Sequence, residues 1–285
     1  MPSGRPRPSA LLLDADGTLW DTRTAMEAAG AAGVRAAWPG VADDVAAGAA
    51  RRYRSDPTNV FGAFVAGELT FEEMRRTRLR EVAAGAGLPW TDDAPSLFES
   101  AYGPQFARSL EAFEDTVDLL RWCAGSGVPV RILTNSSQEY TRQKVVATGL
   151  AAHLDLDALC SRDCLGVGKP EPSVFVHACE RMGSLVSEVL YVGDELAADA
   201  LGAADAGLMS AWLVREDGDP AGEVRPTAER YARAEAHCVR CRGCSGWGSP
   251  RRTPADLGHR GGLGSISPRF AERPQAGRHT PWGIV

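Results

Sequence analysis

The chain has 285 residues, 44% of them hydrophobic, which is enough for one large or two modest domains with a real core. Its formal net charge of −6 argues against a dedicated nucleic-acid binder, which would carry a basic face. No window approaches the roughly 18 consecutive apolar residues of a membrane-spanning helix.

The charge is uneven. Residues 1–215 hold 20 basic and 29 acidic groups, whereas residues 216–285 hold 11 and 8. The N-terminal "MPSGRPRPS" is followed by an apolar run that Asp14 interrupts too early for a signal-peptide core, so residues 1–9 read as a disordered start. A cytoplasmic location is expected, and the seven cysteines then read as reduced thiols. Lysine is scarce: Lys144 and Lys169 stand against 29 arginines.

In chain order, "ALLLD" from Ala10 reads as a strand running straight into Asp14 and Asp16. Residues 22–112 contain no convincing strand but several amphipathic helical patterns, among them "TFEEMRRTRLREVAAGAG", where Thr70 and Glu73 make a capping box. That is far too long for a simple crossover and is expected to be an inserted helical domain. Asp21, just before it, reads as a helix cap. "VPVRILTN" (128–135) is the second strand, "ALC" (158–160) the third, "EVLYVGD" (188–194) the fourth and "MSAWLV" (209–214) the fifth. Helical stretches between them stop near Gly149 and Gly183. Strands alternating with helices predict an α/β fold, a doubly wound parallel sheet whose functional groups lie beyond the carboxyl ends of its strands. The expected boundaries are 10–21 and 113–217 for the α/β core, 22–112 for the inserted helices and 218–285 for a low-order tail.

Most of these strands deliver polar residues at one edge. Asp14 and Asp16 share one side of an extended chain, and two such carboxylates repel unless a cation or proton intervenes. Gly17 and Thr18 allow a tight turn. Thr134 and Asn135 bring a hydroxyl and turn amides suited to an anionic oxygen. Lys169 sits on the turn "GVGKPEP", before a helix starting at Pro170 or Pro172. "YVGDELAADALGAADAG" contributes Asp194 at a strand end and Asp199 beyond it. Four acids, a lysine and a hydroxyl at one sheet edge describe a hard cation beside a phosphate.

The ordered set "DADGT … LTN … GKP … GDELAADALGAADAG" closely resembles the haloacid dehalogenase-like (HAD) hydrolases, in particular the subgroup with a helical cap inserted after the first strand. The resemblance spans about residues 10 to 215. It implies Asp14 as nucleophile, forming an aspartyl-phosphate, and Asp16 as general acid and base. It implies Mg2+ held by Asp14, the Asp16 carbonyl and Asp194, with Asp199 orienting metal-bound water behind them. Thr134, Asn135 and Lys169, with Gly17 in the adjoining turn, would hold the phosphoryl group. The cap would close over the site and choose a small phosphorylated metabolite. Arg51, Arg52, Arg54 and Trp20 are candidate substrate contacts, although helix arginines are usually solvated and Trp20 could simply pack the hinge.

Within the family, dehalogenases lack an acid at the position of Asp16, because a departing halide needs no proton. Phosphonate-cleaving members need a cap lysine, and none occurs between Thr22 and Glu111. A β-phosphoglucomutase-like phosphotransferase would use the same core residues and stays open. A reading of another class, a catalytically silent binding protein, rests on "HCVRCRGC" (237–244), a Cys-rich cluster that could hold zinc, followed by arginines that could meet nucleic acid. From Cys238 onward, 48 residues hold 9 glycines and 5 prolines, the composition of a disordered tail. This tail stands open between a genuine extension and an out-of-frame reading of a GC-rich gene. Which substrate is turned over, and in what oligomeric state, are not written in these motifs.

Overall fold

A computed structural model describes residues 8–215 and the pair Val239–Arg240. The described core is a parallel sheet of strands β1 (Ala10–Leu13), β2 (Val130–Thr134), β3 (Cys160–Ser161), β4 (Val189–Gly193), β5 (Met209–Val214) and β6 (Val239–Arg240), in the order β3-β2-β1-β4-β5-β6. β1 is central. Leu11 pairs in register with Val130 on one side and Leu190 on the other.

Both faces of β1 are buried, as a parallel sheet covered on each side requires. Leu11 and Leu13 pack with Leu120 and Cys123 of α6 (Glu114–Ser126) and Val145 of α7 (Gln138–Ala147). Ala10 and Leu12 pack on the opposite face with Val174, Phe175 and Ala178 of α8 (Pro172–Met182) and Ala203 of α9 (Gly202–Asp205). The order reverses at β1: the chain moves outward through β2 and β3, then returns to β4 on the other side. Such a reversal opens a crevice at the carboxyl ends of the central strands.

Between β1 and β2 lie α1 (Thr22–Ala37), α2 (Asp43–Ser55), α3 (Val60–Val65), α4 (Phe71–Gly85) and α5 (Ala94–Ser109). Local signals start two of them. Asp21 caps α1 by accepting from the Thr24 amide at 2.9 Å. At α4, the Glu73 amide donates to Thr70 Oγ1 at 3.2 Å and the Thr70 amide to Glu73 Oε2 at 2.8 Å, a reciprocal cap.

Two details differ from expectation. The third strand begins at Cys160 rather than at 158, because Asp155 accepts from the Asp157 amide at 3.0 Å and holds Leu156–Ala158 in a tight 3-10 turn. The helix after β4 begins as a π-helical turn, Leu196–Leu201, and only then becomes α9. Residues 1–7, 216–238 and 241–285 lie outside the described residues, and with them most of the expected disordered start and nearly all of the tail and the Cys-rich cluster; Ser9, within that expected start, is ordered, its amide donating to the Glu188 carbonyl at 2.9 Å. Val239–Arg240, within the stretch expected to lack order, pairs parallel with Leu213–Val214. The described cysteines, Cys123, Cys160, Cys164 and Cys179, are free thiols. Among the described residues no helix is long and apolar enough to cross a membrane.

Candidate active site

Asp14 follows β1 directly and is buried, its amide donating to the Val192 carbonyl at 2.8 Å. Lys169 reaches it from the turn before α8, with Nζ 2.6 Å from Asp14 Oδ1. The same ammonium lies 2.7 Å from Asp199 Oδ1 and 2.8 Å from the Tyr191 hydroxyl. That hydroxyl donates in turn to Asp199 Oδ1 at 2.9 Å. Asp199 also accepts from the Glu195 amide at 2.9 Å, a contact made across the π-helical turn. Its two oxygens are thereby engaged within the protein.

Asp194 follows β4 and completes an acidic triad: one carboxylate oxygen from each of Asp14, Asp194 and Asp199 lies within 4.8 Å of the others. Gly17 makes room for it. A Cβ at position 17 would stand 2.1 Å from Asp194 Oδ2, and the backbone there has φ +79, which favours glycine. The Gly17 amide donates to the Trp20 carbonyl at 3.1 Å, so this residue, expected to bind phosphate, spends its donor on shaping the turn. Trp212 of β5 steadies the Asp194 backbone, its indole N–H donating to the carbonyl at 2.9 Å.

Three carboxylates against one ammonium leave two negative charges uncompensated. The electrostatics register this. Burial pushes the Asp14 carboxyl up to about 7, with Lys169 opposing and the Asp199 charge adding to the rise. Burial, with repulsion from Asp14 and Asp199, likewise lifts Asp194 well above the usual carboxylate range. A hard divalent cation bound by oxygen ligands fits this donor set and its charge deficit.

Asp16 has a different setting. Its Oδ1 accepts from Trp20 Nε1 at 2.8 Å, Thr22 Oγ1 at 2.6 Å and Lys144 Nζ at 2.8 Å, while its Oδ2 lies 2.7 Å from the same ammonium. Burial alone would raise its carboxyl, but the Lys144 charge and these hydrogen bonds outweigh it and hold the group below its ordinary value. Both lysines of an arginine-rich chain are thus spent here, each on one acid of the first motif.

Thr134 ends β2, buried, and its Oγ1 accepts from the Ser136 amide at 3.1 Å. Ser137 caps α7, accepting from the Tyr140 amide at 3.3 Å. The Asn135 side chain clamps the backbone of Lys169: Oδ1 accepts from the Lys169 amide at 2.7 Å and Nδ2 donates to its carbonyl at 2.9 Å. The inserted helices rest on the same loops. A Cβ on Gly168 would meet Val65 Cγ1 of α3 at 2.8 Å. The Arg162 guanidinium lies 4.0 Å from the Phe64 ring centroid, and Phe71 and Phe106 lie 6.1 and 5.9 Å from Tyr140.

The arginines singled out as substrate contacts have other surroundings. Arg54 pairs with Glu27 at 2.8 Å, Arg51 is exposed, and exposed Arg52 packs beside Gly85. Trp20 is fully buried and serves Asp16. Sequence reasoning passed over Lys144, Tyr191, Trp212 and the side-chain role of Asn135. Of these, only Lys144 carried a signal, its scarcity.

Comparison with known proteins places this geometry. A family model, haloacid dehalogenase-like hydrolase, matches residues 8–207. An (S)-2-haloacid dehalogenase of Pseudomonas fluorescens is 30% identical over 150 residues, 53% of this chain and 63% of that protein. A phosphoserine phosphatase of Thermus thermophilus is 33% identical over 103 residues, 35% of this chain and 41% of that protein. The match thus spans only 63% and 41% of these relatives' own lengths. Among solved structures, a HAD family hydrolase from Deinococcus radiodurans, crystallised with bound phosphate and sodium, superimposes with a TM-score of 0.58 at 18% identity, covering 83% of this chain and 91% of that one. With the sheet order, the strand-end acids and a family match over most of the described residues, the chain belongs to the haloacid dehalogenase-like hydrolases.

Proposed function

We propose that this chain is a cytoplasmic, magnesium-dependent phosphatase that hydrolyses a small phosphate monoester through an aspartyl-phosphate. The observation that carries this reading is Asp16. It stands two residues beyond Asp14 with 31% of its side chain exposed, held by donors that aim a carboxylate rather than bury it. A leaving alkoxide needs a proton at that place, and a leaving halide does not.

In the first half-reaction an Asp14 oxygen attacks phosphorus and the bond from phosphorus to the leaving oxygen breaks; that oxygen takes a proton through Asp16, which is ionised in the free site and draws the proton from the substrate monoanion. In the second, water attacks the same phosphorus, Asp16 takes its proton, and the carboxylate of Asp14 is restored. Lys169 aims Asp14. Thr134, whose hydroxyl accepts from Ser136 and keeps its proton to donate, holds a phosphoryl oxygen together with the Asn135 amide and Lys169. Asp14, Asp194 and the Asp16 carbonyl would hold Mg2+, with Asp199 behind them, and the ion would offset phosphoryl charge when bound. In this reading residues 10–21 and 113–217 form the core, and the helices within 22–112 act as a cap. The seam of Val65, Phe64 and Phe71 against the site loops supports that role. No nucleic-acid partner is invoked.

The similarity to an (S)-2-haloacid dehalogenase favours a second reading, attack of Asp14 on a carbon bearing halogen. In that reaction Asp16 has no proton to move. A panel of phosphate monoesters and 2-haloacids, assayed with and without Mg2+, separates the two. Magnesium-dependent phosphate release that Asp14→Asn abolishes is expected. Halide release without phosphate release would overturn the proposal, and isomerised sugar phosphate at constant total phosphate would point to the β-phosphoglucomutase-like alternative.

A further inference from the structure

We propose that Lys144 is a positioning residue that sets the Asp16 carboxylate at the leaving-group oxygen; this role rests on the phosphatase reading above. The ion pair of Lys144 and Asp16 is asymmetric. The Lys144 side chain is 3% exposed, whereas that of Asp16 is 31% exposed. The ammonium is walled off by the Tyr140 ring, 4.4 Å from its centroid, and by Phe106 of the inserted α5 at 5.9 Å. Lys144 therefore faces the site only through Asp16, with Ser136 Oγ as its remaining hydrogen-bond partner at 3.4 Å.

The donors on Asp16 are unequal. Trp20 and Thr22 both bind Oδ1. Lys144 bridges the two oxygens, at 2.8 and 2.7 Å, and is the donor that Oδ2 has. Trp20 and Thr22 hold the carboxylate through Oδ1 alone; Lys144, set across both oxygens, adds the contact that holds Oδ2. Burying an ammonium is costly unless it is matched, and here one carboxylate and one hydroxyl match it. A compact ammonium on a flexible stem suits such a bridge, whereas a planar guanidinium is wider and fixed in shape. In a chain with 29 arginines and two lysines, this slot holds a lysine.

The test uses the full chain and separates Asp16 chemistry from general damage. The ratio kcat/KM reports the steps up to departure of the leaving group, so a base role in the later hydrolysis does not enter it. On an alkyl phosphate, whose leaving group needs a proton, Lys144→Met should lower kcat/KM by about 100-fold, the scale of general-acid catalysis. On p-nitrophenyl phosphate, whose leaving group departs as the anion, the loss should stay within about 5-fold. Lys144→Met combined with Asp16→Asn should be no slower than Asp16→Asn, within about 2-fold, because both act through one group. Equal losses on the two substrates, multiplied losses in the double variant, or an unaffected Lys144→Met would each overturn the proposal.

A crystal structure of Lys144→Met reads placement without activity. An Asp16 carboxylate turned from its wild-type orientation supports the role, and one left unmoved on Trp20 and Thr22 overturns it. Should wild type release no phosphate, the phosphatase reading falls, while this structural readout still decides what Lys144 does to Asp16. Lys144→Arg, which keeps the charge but not the shape, serves as the second variant if Lys144→Met fails to fold: a loss on the alkyl phosphate well above that on p-nitrophenyl phosphate supports the role, and equal losses or none overturn it.

Discussion

Removing the charge of Asp194 should stabilise the cation-free protein while costing it its response to magnesium. In Asp194→Asn the shape is kept and one of three crowded carboxylates becomes neutral. Oxygens within 4.8 Å of one another repel by about 3–4 kcal/mol per pair at an effective dielectric constant near 20. Asp194 faces two such partners, with Lys169 and solvent offsetting part of the repulsion, so a net gain of about 2–3 kcal/mol is expected at a pH high enough to ionise both Asp14 and Asp194. For a folded unit of this size that raises Tm by roughly 4–12 °C. The assay is calorimetric unfolding in EDTA and again in magnesium. Wild type should gain about 2.7 kcal/mol at an ion concentration 100 times Kd, and the variant almost nothing. A variant less stable than wild type in EDTA, or one that keeps the magnesium shift, would refute the assignment of the triad as a cation site.

The same cluster gives a pH dependence with a definite sign. The Asp14 carboxyl is raised from 3.8 to about 7 in the folded chain, so the folded state binds the extra proton between those values. Cation-free stability should therefore fall as pH rises from about 4 to about 7, by up to roughly 4 kcal/mol from this group, and added magnesium should flatten the slope. Asp16, held low, contributes in the opposite sense, losing stability only as pH drops through its depressed value. Gly17→Ala should abolish the magnesium-induced rise in Tm, since its Cβ would occupy the place of Asp194 Oδ2; an unchanged rise would show that the turn can yield. Asn135→Ala removes both hydrogen bonds that clamp Lys169 and should cost about 1–3 kcal/mol in urea unfolding, with a larger relative loss of kcat than of stability. Tyr191→Phe leaves Lys169 and Asp199 each short of one partner, and a destabilisation of about 1–2 kcal/mol is expected by the same measurement.

Asp21 and the Thr70–Glu73 box could be assigned from the sequence because a helix cap joins residues three apart, and the structure places both caps as expected. The third strand was displaced because a side chain two residues away, Asp155, won the backbone for a turn. Asp14, Asp16, Thr134, Lys169, Asp194 and Asp199 were legible as strand-end or turn polar groups interrupting apolar runs, a local signal that parallel topology converts into proximity. Trp20, Tyr191 and Trp212 carried no such mark, since a buried aromatic reads as core until its polar atom finds a partner. Their partners are Asp16, Asp199 with Lys169, and the Asp194 carbonyl.

The alternation of elements and the chemistry at the strand ends were therefore determined by the sequence alone, because hydrophobic period and turn residues act over a few positions. That Lys144 serves Asp16 was decided by the tertiary structure. Lys144 lies on α7, 128 residues from Asp16, and the crossover that packs α7 against the β1 side of the sheet is what brings its ammonium to that carboxylate. Nothing in the local pattern of a helix distinguishes that lysine from a solvated one. Only the burial of its stem under Tyr140 and Phe106, with a single carboxylate left to face, does so.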